Sequence, residues 1–101
     1  MWFHGRMTMV TVLKFFATLR YTINQKSMDI DIDEPVSMRD LLSLACEKAG
    51  VDFIDKLLDN NEIRKGTLLL IDGKNVIHKQ GLDTMVPPGS TVSFFPPSGG
   101  G

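Results

Sequence analysis

The sequence predicts an α+β fold in which a sheet of about five strands carries one main helix on one face. Three observations lead to this prediction. Two segments near the start have the composition or the alternation of strands, an amphipathic helical segment follows them, and three short apolar segments separated by turn residues complete the chain. The predicted order is therefore strand, strand, helix, strand, strand, strand.

The first two strands differ in how they are recognised. Residues 9–16 are predicted to form a strand because β-branched and aromatic residues dominate them, and residues 20–27 are predicted to be a polar connection. Residues 28–33 alternate apolar and acidic side chains, as in a half-buried antiparallel strand. The acidic residues are Asp29, Asp31 and Asp33. Their spacing also suits a cation site, but we favour an edge strand whose solvent-facing charges discourage aggregation.

The main helix is predicted to begin at Ser37 and to stop at Gly50. Ser37 is expected to cap it, because a serine three residues before Asp40 can satisfy a free backbone N–H of the first turn. Gly50 supplies the left-handed residue that commonly ends a helix. An apolar stripe at helical spacing faces the sheet, and it consists of Met38, Leu41, Leu42, Ala45 and Ala49.

The elements after the helix are predicted from turn residues and short apolar runs. They are a short helical piece at 52–58, a turn at Asn60-Asn61, a buried strand at 67–71, a short strand at 76–78, and a last strand at 91–95. Asp72-Gly73 is a strong hairpin signal between the third and fourth strands. Pro96 and Pro97 end the last strand.

The composition is that of an ordinary folded domain, with 43% hydrophobic and 23% charged residues. The net charge is −1 with interleaved signs, so the sequence lacks the basic stripe that nucleic-acid binding needs. We assign the domain to residues 9–95, an extension predicted to be disordered to residues 1–8, and a flexible tail to residues 96–101. Without a signal sequence or a membrane-length apolar run, we expect a cytoplasmic protein with no membrane partner.

No arrangement of side chains typical of an enzyme is evident in the sequence. His4 and His78 stand alone, without a second histidine or a cysteine at metal-ligand spacing. Cys46 lies beside the apolar stripe of the helix, where a free cysteine usually behaves as a small hydrophobe. Glycine motifs that bind phosphate are also absent from the sequence. We therefore expect no metal site and no bound cofactor.

The C-terminal tail is the segment with chemical meaning. Pro96 and Pro97 form a stiff stem, which Ser98 and three glycines follow. Glycine has no β-carbon, so such a tail can enter a narrow tunnel, and a terminal glycine leaves its α-carboxylate open to attack on ATP. The expected reactive group is the carboxylate of Gly101. Taken alone, the glycines also suit a frayed end without function.

Three segments together resemble the MoaD/ThiS family of ubiquitin-like sulfur carriers. They are Leu13-Lys14-Phe15-Phe16-Ala17-Thr18-Leu19-Arg20, Phe94-Phe95-Pro96-Pro97, and the terminal Gly-Gly. Residues 62–73 and 81–84 are similar to the longer, archaeal-type MoaD branch, the small subunit of molybdopterin synthase. The resemblance covers residues 9–101. It implies a β-grasp (ubiquitin-like) fold, with a mixed sheet in which the first strand lies parallel to the last in the centre.

The resemblance also implies a chemistry in which the chain is a non-catalytic, sulfur-carrying subunit. An E1-like adenylyltransferase of the MoeB/ThiF type would adenylate Gly101 with ATP, and sulfur would replace the adenylate to give a thiocarboxylate. The large subunit of molybdopterin synthase, of the MoaE type, would use that sulfur to build the dithiolene of the molybdenum or tungsten cofactor. The active site is then expected on the partner.

Partner binding is expected on the tail and on the aromatic residues beside it. If Leu13 and Phe15 face the core, strand alternation places Phe16 on the other face, and the same argument places Phe95 opposite Phe94. Exposed aromatic side chains are suitable interface anchors, although these residues also suit a core. The expected partner-binding residues are Phe16, Arg20, Phe95, Pro96, Pro97, Ser98, Gly99 and Gly100.

Three other functions remain open from the sequence. The chain is also consistent with a ThiS-like carrier for thiamine thiazole synthesis, or with a ubiquitin-like modifier joined to lysines through its C-terminal glycine. The remaining alternative is a β-grasp interaction domain without tail chemistry.

Overall fold

The computed structural model describes residues 9–97, and its centre is a five-stranded sheet. The strands in this range are β1 (Met9–Phe15), β2 (Ser27–Ile32), β3 (Val36–Ser37), β4 (Leu58–Asp59), β5 (Glu62–Ile63), β6 (Leu68–Ile71), β7 (Lys74–Asn75), β8 (Met85–Val86) and β9 (Thr91–Phe95). The sheet has the order β2-β1-β9-β6-β7. The predicted extension, residues 1–8, and residues 98–101 of the predicted tail lie outside the described residues.

The central pair of strands, β1 and β9, runs parallel, and the other pairings in the sheet are antiparallel. Leu13 is opposite Val92, and Phe15 is opposite Phe94. A parallel pair cannot be joined by a tight hairpin, and here the whole chain between the two strands makes the crossover. This topology confirms the mixed sheet that the resemblance implies.

The inner face of the sheet and helix α2 (Met38–Ala49) enclose one hydrophobic core. The Phe15 ring stacks on Phe94 with the ring centroids 5.7 Å apart, and it meets Phe53 edge to face at 5.8 Å. All three rings are fully buried. In β2 the apolar residues are buried and the aspartates are exposed, as the alternation predicts. The aromatic cluster therefore lies directly under the central strands.

Helix α2 begins and ends where the sequence predicts. The backbone of Ser37 is extended, and its hydroxyl oxygen accepts a hydrogen bond from the Asp40 N–H at 3.0 Å. Gly50 adopts a left-handed φ of 73° and donates its N–H to the Cys46 carbonyl at 2.9 Å. Both ends of the helix thus satisfy backbone groups that would otherwise lack partners.

The prediction of a polar connection over residues 20–27 is wrong in its first half, because Leu19–Ile23 forms the short helix α1. Leu19 and Ile23 are four residues apart, so they lie on one side of the helix, and both are buried. Asn24 ends the helix with a left-handed φ of 63°. The residues between Leu19 and Ile23 are polar, so the sequence shows too little apolar periodicity to predict this helix.

The predicted strand at residues 76–78 is also wrong. The Asp72-Gly73 turn forms, but the strand after it covers only Lys74–Asn75, and Val76–His78 is a 3₁₀ turn. The Asn75 side chain accepts a hydrogen bond from the Ile77 N–H at 3.1 Å, which favours a turn over continued pairing. The turn buries Val76 completely.

Short elements account for the remaining differences from prediction. The helical piece expected at 52–58 is a 3₁₀ turn at Ile54–Lys56. The predicted Asn60-Asn61 turn joins the hairpin of β4 and β5, and β3 pairs with β8; neither pairing was expected from the sequence. Gly81–Asp83 is a further 3₁₀ turn. Pairings of two residues carry too little periodicity to be recognised in a sequence.

We predict that Phe15→Ala lowers the free energy of unfolding by about 3–5 kcal/mol, because it leaves a cavity between two other buried rings. Lys14→Ala, at the neighbouring exposed position of the same strand, should change it by less than about 0.5 kcal/mol. Urea denaturation of both variants measures the difference. Equal losses for the two variants would contradict the burial of Phe15.

Candidate functional site

The face of the sheet opposite α2 carries a second aromatic pair, Phe16 and Phe95. The two rings stack with their centroids 4.2 Å apart and their planes 7° apart, and both side chains are half-buried. The pair follows directly from the pleat, because each ring comes one residue after a core ring, Phe15 or Phe94. Phe16 and Phe95 therefore occupy the surface position that strand alternation predicts.

Arg20 lies over the Phe16 ring of this pair. Its guanidinium carbon is 5.2 Å from the centroid of the Phe16 ring, and its Nε donates a hydrogen bond to the Phe15 carbonyl at 2.9 Å. The approach depends on Ala17, whose left-handed φ of 55° turns the chain from β1 into α1. Such a backbone conformation is uncommon for alanine. The arginine is consequently held on the surface with a cation–π contact and a backbone hydrogen bond.

Leu68 extends the apolar surface, although the sequence analysis placed it in a buried strand. It is directly opposite Phe95 in the β6–β9 register, and 41% of it is exposed. The neighbouring Leu69 is fully buried opposite Phe94, so β6 alternates like the central strands. We call Phe16, Arg20, Leu68 and Phe95 the docking patch. The run of three leucines hid this alternation.

The root of the C-terminal tail is fixed beside the docking patch. Pro96 is buried and Pro97 is half-buried. Gly66, with a φ of 89°, lies against Pro97, and a β-carbon at Gly66 would stand 3.7 Å from the proline side chain. The chain is therefore packed as far as Pro97. The other predicted site residues, Ser98, Gly99, Gly100 and Gly101, lie outside the described residues.

A groove of about 750 Å³ also borders the tail root. Pro96, Pro97 and Thr18 line one part of it, and the segment around the β4–β5 hairpin lines the rest. The side chains from that segment are mostly charged. This groove could not be predicted from the sequence, because its two parts are separated by more than thirty residues in the chain.

The other residues considered in the sequence do not assemble into a site as far as the structure describes them, and His4 lies outside the described residues. No group of three or more metal-binding side chains occurs within residues 9–97. His78 is exposed at the end of a 3₁₀ turn, and Asp29, Asp31 and Asp33 are exposed. The Lys48 ammonium group donates a hydrogen bond to the Asp29 carbonyl. Within the same range, no helix is long and apolar enough to cross a membrane.

Cys46 is a structural residue in this arrangement. Its sulfur accepts a hydrogen bond from the Phe53 N–H at 3.4 Å and lies 3.9 Å from the Asp52 carboxylate. Burial raises the pKa of the thiol above its usual value, and the Asp52 charge also raises it. The raised pKa keeps the sulfur protonated, so Cys46 is a poor nucleophile.

A mixed sheet crossed by one main helix, with a docking patch beside the root of a glycine tail, defines a ubiquitin-like β-grasp protein. The chain belongs to the ThiS family, whose model matches residues 13–101. This is a family of ubiquitin-like sulfur carriers and protein modifiers.

Individual relatives agree with this assignment. The chain is 36% identical over 90 residues to small archaeal modifier protein 3 of Haloferax volcanii, covering 88% of this chain and 96% of that protein. It is similar to the solution structure of the H. volcanii HVO 2177 protein, with 32% identity, a TM-score of 0.74, and coverage of 93% and 88% of the two chains.

A third comparison concerns a complex. The fold is similar to a chain in the crystal structure of the Amycolatopsis orientalis BexX/CysO complex, with 16% identity and a TM-score of 0.71. The match covers 90% of this chain and 99% of that chain. This similarity concerns the fold.

We predict that Cys46 in the folded protein reacts with iodoacetamide at pH 8 several times more slowly than in the urea-unfolded protein. The reason is that the raised pKa lowers the thiolate fraction in the folded state. The rate should rise with pH through the region above the usual thiol pKa. Mass spectrometry of timed samples measures it, and equally fast labelling of folded and unfolded protein would contradict the structural role.

Proposed function

We propose that the chain carries sulfur as a thiocarboxylate on Gly101 and serves as the small subunit of molybdopterin synthase. The observation that carries this proposal is the position of the tail root, Pro96-Pro97, which leaves the centre of the sheet next to the docking patch. A partner that binds the patch can therefore reach the tail that follows. Membership of the ThiS family and the similarity of residues 62–73 to the archaeal-type MoaD branch support it.

The chemistry requires only the terminal carboxylate from this chain. One carboxylate oxygen attacks the α-phosphate of ATP on the activating enzyme, a C(O)O–P bond forms, and pyrophosphate leaves. A sulfur nucleophile at the oxidation level of sulfide then attacks the acyl carbon, and AMP leaves with the shared oxygen. The product is a thiocarboxylate on Gly101. Because glycine has no side chain, it offers no steric hindrance at the acyl carbon.

The docking patch supplies the affinity for the partner in this proposal. Flat aromatic rings and a leucine offer apolar area, and Arg20 is already held in place by its contacts with Phe15 and Phe16. Little side-chain entropy is then lost on binding. An acidic group on the activating enzyme suits Arg20, because the residue is exposed and its hydrogen bond to the Phe15 carbonyl uses only Nε. The expected partners are a MoeB/ThiF-type adenylyltransferase and a MoaE-type large subunit.

A second candidate function is protein modification, and the 36% identity to a small archaeal modifier protein favours it. The acyl adenylate on Gly101 would be the same in both functions. The nucleophile that follows would be the ε-amine of a lysine, which forms an isopeptide bond as AMP leaves. A carrier role in thiamine thiazole synthesis uses the same thiocarboxylate with a different acceptor.

We predict that the chain incubated with its activating enzyme, ATP and a sulfide source gains the mass of one sulfur-for-oxygen exchange at the C-terminus. Deletion of Gly100 and Gly101 should abolish the gain, while the thermal stability stays unchanged. Intact-protein mass spectrometry measures both variants. Persistent absence of the thiocarboxylate, together with C-terminal peptides of this chain joined by isopeptide bonds to cellular lysines, would favour modification. Absence of both would contradict activation of the tail.

We predict that the double variant Phe16→Ala, Phe95→Ala weakens binding to the activating enzyme by at least about tenfold, because it removes the central apolar contacts. Ile77→Ala is the control, since Ile77 is also an exposed apolar residue, at 57%, but lies outside the docking patch. Isothermal titration calorimetry gives the dissociation constants. Unchanged affinity in the double variant would rule out the patch as the docking surface.

A further inference from the structure

We propose that the charged groove beside the tail root is a second docking surface, which binds a segment of the activating enzyme that carries both acidic and basic side chains. This inference rests on the proposed function, because it assigns the groove to the enzyme that takes the tail. The charged residues of the groove are Asp55, Lys56, Asp59, Glu62, Arg64 and Lys65.

The lining of the groove favours a protein surface over a small molecule. Small-molecule sites are mostly apolar and enclose their ligand, with a few polar groups that fix its orientation. Here six charged side chains, all exposed, dominate an open surface, and the apolar contribution comes mainly from Pro96, Pro97 and Ile63. An occupant must therefore match charges over a wide area, as a folded partner does.

The charges of the groove do not neutralise one another. Three are acidic and three are basic, yet none of the six forms an ion pair with another residue among 9–97; the salt bridge in that range joins Arg39 and Asp83 at 3.6 Å. Charged side chains of both signs in one groove are thus available to a partner. Two-signed complementarity fixes the orientation of a partner more strictly than a uniform charge does.

Two acidic residues of the groove lie opposite each other in the β4–β5 hairpin, and their repulsion destabilises the hairpin. Asp59 and Glu62 are direct partners in the register, and like charges directly opposite each other destabilise a strand pair. The register is fixed by Asn60 and Asn61, which both have the positive φ of a tight hairpin turn, 51° and 64°. The acidic pair therefore has a cost in the free protein that binding of a basic group would offset.

The backbone under the groove is firmly tied to the core. The Arg64 side chain donates through Nε to the Asp55 carbonyl at 2.8 Å, and the Arg64 N–H donates to the Leu57 carbonyl at 2.9 Å. Leu57 is fully buried. The backbone of the charged segment is consequently pre-organised, and a partner has to order only its exposed side chains on binding.

The position of the groove identifies its occupant. Pro96 and Pro97 form its wall, and they are also the residues through which the tail leaves the docking patch. An enzyme that holds both the tail beyond these prolines and the docking patch next to them therefore lies against the groove as well. In the proposed function, adenylation is the step that first engages the tail, so we assign the groove to the activating enzyme.

The test uses two double variants of opposite sign in the full chain. Lys56→Glu with Lys65→Glu reverses two cations of the groove, and Asp59→Lys with Glu62→Lys reverses the acidic pair. Arg64 is left unchanged because of its structural hydrogen bond. The matched controls make the same change of net charge at exposed positions that do not line the groove: Lys74→Glu with Lys79→Glu, and Glu34→Lys with Glu47→Lys.

Each groove variant should bind the activating enzyme about tenfold more weakly than the wild type at low salt, as measured by calorimetry. The difference should shrink at about 1 M salt, where the Debye length is roughly 3 Å. The controls should bind within about twofold of the wild type. Circular dichroism melting of each variant establishes that it is folded.

Wild-type affinity in both groove variants would overturn the proposal. Tighter binding of either variant would also overturn it, because that result would mean that the partner surface carries charge of one sign only. These outcomes count only if the enzyme adenylates the wild-type chain. Failure of the wild type to be adenylated would instead count against the proposed function, so the two failures are distinguishable.

Discussion

Parallel pairing of the first strand with the last places the end of the chain in the middle of the sheet, and the other features of the site depend on it. Each of the two central strands contributes one aromatic ring to the core and the next to the outer surface. The buried rings, Phe15 and Phe94, fix the register through core packing. The same register then stacks the outer rings, Phe16 and Phe95, on each other beside the tail root.

In this arrangement, adjacent residues of the two central strands have separate roles in stability and in function. The inner pair belongs to the hydrophobic core, whereas the outer pair contributes to a surface that a partner can cover. The tail root joins the two, because Pro96 is buried while Pro97 rests on Gly66. A partner therefore meets the docking patch and the groove, which both border the residues from which the tail continues. In the proposed function, the chain positions a carboxylate and the partner supplies the catalytic groups.

Strong local signals account for what the sequence predicts correctly. Strand alternation in β2, the Ser37 cap and Gly50 stop of α2, and the aromatic strand β9 all agree with the preferences of their tertiary surroundings. The surface position of Phe16 and Phe95 followed from the same alternation.

What the sequence could not predict depends on weak or long-range interactions. Helix α1 rests on two apolar anchors, Leu19 and Ile23, in a polar segment. Arg20 reaches Phe16 because Ala17 adopts a left-handed conformation. An alanine in a sequence does not predict that conformation. Leu68 is exposed because β6 pairs with β9, a contact that no local pattern in three successive leucines reveals. The groove likewise requires residues 55–65 and 96–97 to meet through the fold.

The central claim is that the Gly101 carboxylate is the group that reacts. Exchange of labelled pyrophosphate into ATP by the activating enzyme tests it most directly, because the exchange requires reversible formation of the acyl adenylate and needs no sulfur donor or acceptor. We expect exchange that depends on the full chain and is lost when the C-terminal carboxylate is converted to an amide. Exchange that is undiminished with the amidated chain, or that never exceeds the rate of the enzyme alone, would contradict the claim.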